Sequence, residues 1–176
     1  MANTYTKIAS VTVGSGGAST IDFTSIPSTY TDLVVKLSPR CDSTSGFPEV
    51  VTMRFNTSST TDYSWRSLYS VTATPGSNNE TSVAAIRTGN APAVATTANT
   101  FSNTEVYIPN YAGSTNKSIS VDAVNEANSS TDFVYGLFLN AGIRSNTAAI
   151  TAIRFSLLVG NFVQYSTATL YGIKNS

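Results

Sequence analysis

The chain has 176 residues, 41% of them hydrophobic, long enough to bury one sizeable core in a single domain. Only 11% are charged, against about 25% in ordinary soluble domains, and Ser and Thr fill much of the difference. Ten basic residues cancel ten acidic ones and are scattered singly, which excludes the basic footprint of a nucleic-acid partner or a polybasic membrane anchor.

The first predicted elements are "KIASVTV" and "TIDF", joined by the Gly/Ser stretch "GSGGAS" and read as a hairpin. In "TDLVVKLS", Leu33, Val35 and Leu37 share one face. In "VVTMRFN", Val51, Met53 and Phe55 alternate with Thr52, Arg54 and Asn56. "YSWRSLYSV" places Trp65, Tyr69 and Val71 on one parity and Leu68 on the other, so this strand is expected to be buried on both faces or bulged. "TSVAAIR", "TEVYIP", "KSISVDAV", "DFVYGLFLN", "TAIRFSLLV" and the closing segment bring the expectation to about ten strands. Segments such as "NTSSTTD", "TPGSNNE", "TGNAPAVATTAN" and "NAGIRSNTAA" read as loops. The best place for a short helical turn is "TAAITAI". The predicted fold is an all-β antiparallel sandwich of jelly-roll type, with residues 1–6 as an N-terminal arm and 7–176 as one domain.

Little in the chain carries chemistry. Without histidine there is no His-dependent triad and no His metal site. Cys41 is the one cysteine, so no internal disulfide or thiolate cluster can form, and it reads as an inert thiol. Asp122 and Glu126 stand four apart, about 13 Å along a strand, too far for a catalytic carboxylate pair. "GSGG" lacks the lysine and helix of a phosphate loop. Asp42 and Asp62 show no regular calcium-ligand spacing. The expectation is a protein that is not an enzyme and needs no cofactor or metal. Trp65, flanked by Tyr63 and Tyr69, is the candidate glycan-stacking platform, set against a core role for the indole. No apolar stretch approaches the ~20 residues of a membrane helix, and "MANTYTKIAS" is not a secretory leader, so cytoplasmic synthesis is expected.

The segment "SNTAAITAIRFSLLVGNFVQYSTATLYGIKNS" (145–176) resembles the C-terminal region of small virion structural proteins of tailed, marine or cyanophage-like bacteriophages. "YTKIASVTVGSGGASTIDFTSIPSTYTDLVVKLSPR" (5–40) is similar to their opening, and "RFNTSSTTDYSWRSL" and "NTFSNTEVYIPNYAGSTNKSISVDAVNE" follow the same pattern. The resemblance covers nearly the whole chain, apart from loops around 41–50 and 72–97. It implies a β-sandwich module used as capsid decoration or cement, or as a fibre tip. Since no shaft precedes the module, decoration of the head ranks first. The implied partners are the major capsid protein and further copies of the chain, a trimer being favoured, with surface glycans as ligands in the alternative of a tail-associated receptor- or glycan-binding module. A depolymerase fragment is a weaker rival. The implied location is the virion, on the head surface, after assembly in the host cytoplasm. Asn3, Thr4 and Tyr5, in the polar start of the chain, are the expected attachment arm.

Overall fold

The computed structural model describes residues 4–71, 74–126 and 136–174. In chain order the strands are β1 (Tyr5–Thr12), β2 (Thr20–Phe23), β3 (Asp32–Ser38), β4 (Glu49–Phe55), β5 (Tyr63–Val71) and β6 (Thr74–Val83). They continue with β7 (Ile86–Ala91), β8 (Asn103–Ile108), β9 (Lys117–Asn125), β10 (Gly136–Arg144), β11 (Ile153–Leu157) and β12 (Thr167–Ile173). The protein is all-β: two antiparallel sheets pack together, and the described residues contain no helix. The large sheet runs β1-β12-β3-β8-β9-β10-β5-β6 and the small one β2-β11-β4-β7.

Alternation places the core. Leu33, Val35 and Leu37 of β3, with Val106 and Ile108 of β8 and Ile119 and Val121 of β9, face Val51, Met53 and Phe55 of β4 and Ile153 and Phe155 of β11. Each such side chain contributes roughly 1.5–3 kcal/mol on full burial. Where β7 crosses the large sheet, Gly142 of β10 lies under Ile86, and a Cβ there would come within 2.6 Å of the Ile86 Cγ2 atom. The missing side chain lets the two sheets close at that point.

Several expectations change. The described residues form twelve strands rather than about ten, and the sheets are unequal, so the jelly-roll refinement does not follow from this order. "KIASVTV" and "TIDF" do not form a hairpin: β1 pairs with β12 in the large sheet and β2 with β11 in the small one. The Gly/Ser stretch makes a turn, with the Gly17 amide donating to the Gly14 carbonyl at 3.1 Å, that carries the chain across the sandwich. "TPGSNNE", read as a loop, lies within β6. That strand has a single neighbour, β5, and is almost wholly exposed, so neither apolar alternation nor exclusion of Pro75 is required of it. Thr88–Ala91 and Asn140–Arg144, also placed in loops, belong to β7 and β10. "TAAITAI" is extended chain leading into β11, with the Ile150 amide bonded to the Tyr111 carbonyl at 2.9 Å.

Candidate functional site

The residues picked out in the sequence do not converge. The Tyr63 hydroxyl accepts from the Phe55 amide (3.0 Å) and donates to the Phe55 carbonyl (3.2 Å), with the side chain buried. Trp65 is 6% exposed and is covered by the Arg87 guanidinium, 5.9 Å from its ring centre. Tyr69 is half-buried and packs on Phe138. The sandwich therefore uses two of the three rings as core, and no stacking platform of Tyr63, Trp65 and Tyr69 is presented to solvent. Arg87 also lies 5.8 Å from the Phe138 ring centre, and burial pushes its pKa down against the opposing effect of Tyr69 and Glu80.

Of the proposed arm, Asn3 lies outside the described residues. Tyr5 and Thr6 are ladder residues of β1, opposite Ile173 and Gly172, and the Thr4 carbonyl accepts from the Lys174 amide at 3.3 Å. Tyr5 is exposed and meets Tyr171 edge-on, with ring centres 6.2 Å apart. Cys41 is fully buried, which pushes its thiol up and away from nucleophilic use. The Asp42 carboxylate accepts from the Asn161 amide (2.6 Å) and from its Nδ2 atom (3.1 Å). Asp62 is engaged by Arg144 and Thr60. Asp122 is exposed on β9.

The feature that stands out is the outer face of the large sheet. Leu68 on β5 and Leu137 and Leu139 on β10 are 62%, 59% and 59% exposed, and Val124 and Ile143 are also open to solvent. Strand register brings them together. Leu139 lies opposite Leu68 on one side and Asp122 on the other, while Leu137 lies between Ser70 and Val124. Ala141 lies between Arg66 and Ser120, and Ile143 between Ser64 and Ser118. The result is an apolar stripe along β10, widened by Leu68 and Val124 and bordered by hydroxyls, one cation and one anion. A shallow concavity of about 710 Å³, lined by Arg66, Leu68, Ser77, Asn79, Ser120 and Leu139 among others, opens on it.

The other side of the same strands is core, built from Tyr63, Trp65, Phe138, Ile119 and Val121, with one polar pair set into it. Ser67 and Asn140, opposite each other, are 4% and 1% exposed, and Asn140 donates from Nδ2 to the Arg87 carbonyl at 3.4 Å. Leu68 thus answers the parity puzzle of "YSWRSLYSV": it is not buried. The register of β5 against β6 shifts once, between Tyr63 and Ser64, and Leu68 points outward from a regular stretch. The sequence signals of this face were Leu68, off the parity of Trp65 and Tyr69, and Val124, off the parity of Ile119, Val121 and Ala123. In "GLFLN" both parities are apolar up to Phe138, so nothing marks the leucines as outward.

No protein-family model matches the chain, and neither a curated protein nor a solved structure is significantly similar to it.

Proposed function

We propose that the chain is a non-enzymatic structural module of a tailed-phage virion, a decoration or cement protein held in many copies on the outside of the head. The virion setting rests on the resemblance of residues 5–40, 54–68, 99–126 and 145–176. The structural observation behind the building-block part of the reading is the outer face of β5, β10 and β9. Contiguous apolar patches on a protein surface often mark sites of interaction. Here three leucines stand out to solvent on strands whose opposite side already supplies the core through Trp65 and Phe138. A surface so arranged works when covered by protein. The low charge of the chain agrees, since hydroxyls cost less to desolvate than ions.

Binding only to the assembled shell would stabilise that shell by mass action. The absence of histidine and the engagement of Asp42, Asp62 and Cys41 in structural contacts support a module without catalysis. The glycan-binding alternative loses the feature that would have favoured it, because Tyr63 and Trp65 are buried.

The test is quantitative mass spectrometry of purified particles. A copy number comparable to that of the major capsid protein is expected. A few copies per particle would move the protein to the tail, and absence from the particle would end the virion reading.

A further inference from the structure

We propose that the outer face of β6-β5-β10-β9 is a homodimer interface, occupied by a second copy of this chain packed face to face about a two-fold axis. The proposal rests on the reading that this face is covered, and names what covers it.

The first argument is charge. Arg66 and Asp122 lie on opposite sides of β10, one row apart: Arg66 is opposite Ala141, and Asp122 is opposite Leu139. Asp122 has a like-charged neighbour directly across the β8–β9 ladder, Glu105, whose own cation is Lys36. Adjacent carboxylates on one face of a sheet repel. Among the described residues the ladder neighbours of Asp122 are Glu105 and Leu139, neither of them a cation. A two-fold axis in the plane of the interface, through β10 between Leu139 and Ala141, exchanges the positions of Arg66 and Asp122. It therefore sets Arg66 of each copy against Asp122 of the other, twice, around an apolar centre. An isologous interface requires this kind of self-complementarity, the same patch supplying both members of each pair.

The second argument is size. Strands about 4.8 Å apart and same-face residues about 6.8 Å apart make four strands by four rows cover roughly 500 Å² per copy. Two copies then bury about 1,000 Å², the lower limit for a specific protein–protein interface. The composition has the expected zones. Leu68, Leu139, Ala141 and Ser120 stand nearest the axis, Leu137, Val124 and Ile143 extend the apolar surface to either end, and Ser64, Ser118 and Asn79 form a polar rim. The rim residue Asn79 already holds the Arg66 guanidinium from one side, Oδ1 accepting from Nη1 at 3.2 Å, which orders the cation before association.

Sedimentation and cross-linking of the full chain test this, with four single variants and one double. The wild type is expected to dimerise reversibly below about 100 µM, as suits an interface of this size. Leu139→Lys should leave a folded monomer, its fold checked by the unchanged emission of the single tryptophan. Arg66→Asp and Asp122→Arg should each weaken the dimer roughly tenfold, and the double swap should restore it, because two symmetric pairs are broken and then rebuilt reversed. Ala141→Cys should give a covalent dimer with a short bis-maleimide, since Ala141 lies beside the axis and the native Cys41 is buried. A chain that is monomeric at about 100 µM overturns the proposal. So does an assembly that Leu139→Lys leaves intact, or a charge swap that fails to restore what the single changes remove. None of these outcomes alters the copy number on particles, so the dimer and the virion reading fail separately.

Discussion

The Arg144 guanidinium donates from Nε to the Asp62 carboxylate at 3.1 Å, tying the end of β10 to the loop before β5. Its Nη1 atom donates to the Phe55 carbonyl at 3.2 Å, and the group lies 5.2 Å from the Tyr63 ring centre. Burial works against the Asp62 carboxylate, but hydrogen bonds from Thr60 and Arg144 outweigh it and hold its pKa below the ordinary value. Asp42 is likewise lowered, chiefly by the Asn161 amide and side chain.

A carboxyl whose folded pKa lies below its unfolded value of about 3.9 contributes stability that is complete above that pH. The contribution is lost as pH falls through the folded pKa. Unfolding by urea is therefore expected to be flat near neutrality and to weaken below about pH 4. Asp62→Asn should cost about 1–3 kcal/mol at pH 7, because it leaves Arg144 with a weaker partner, and should reduce the slope on the acid side. An unchanged acid slope in Asp62→Asn would assign the pH dependence elsewhere.

Lys117 is buried at the start of β9, its ammonium donating to the carbonyls of Gly113 and Thr115 and, at 3.3 Å, to that of Thr147. The charge organises the 110–117 loop much as a small cation would. Lys117→Met is expected to lower stability by about 2 kcal/mol, since it strands carbonyls that the ammonium satisfied. Chemical denaturation read against Lys36→Met, whose ammonium forms an exposed pair with Glu105, gives the comparison: the surface change should cost less than about 1 kcal/mol.

Arg40 pins the stretch between β7 and β8. Its Nη1 atom donates to the carbonyls of Thr97 and Thr100, both at 2.9 Å, and its Nη2 atom to that of Ala93 at 3.1 Å. Replacing it by Met should raise amide exchange at Val94, Thr96 and Ser102 at least tenfold, with β9 and β10 unaffected, because the change opens one local unit. Uniformly faster exchange across the sandwich would contradict a local role.

Trp65 is the single tryptophan, so its fluorescence reports one site. Its emission should be blue-shifted, resist quenching by acrylamide and stay unchanged on titration with neutral or acidic saccharides. Trp65→Ala should cost about 3–5 kcal/mol of stability. Ready quenching, or a saccharide-dependent shift, would return the indole to a binding role.

Strands facing the core were legible because their pattern is simple: Val51, Met53 and Phe55 alternate cleanly, as do Ile119, Val121 and Ala123. What could not be read was pairing. Nothing in "KIASVTV" or "TIDF" records that each finds its partner at least 130 residues later. Nor does β6 look like a strand, because an edge strand open to solvent is free of the apolar demand that reveals the others. The outer face was hidden for a related reason. Leu137 and Leu139 share their strand with Phe138, and with apolar residues on both parities the alternation no longer says which side is in.

β12 lies between β1 and β3, and β11 between β2 and β4. Each of the first four strands therefore takes a ladder partner from residues 153–173, and without that segment β1 and β2 have nothing to pair with, while β3 and β4 keep only β8 and β7. Folding must bring these distant segments together and close loops of 130 residues or more, which is the condition for slow, all-or-none assembly. A chain cut before β11 would expose four unpaired edges, those of β1 and β3 that face β12 and those of β2 and β4 that face β11.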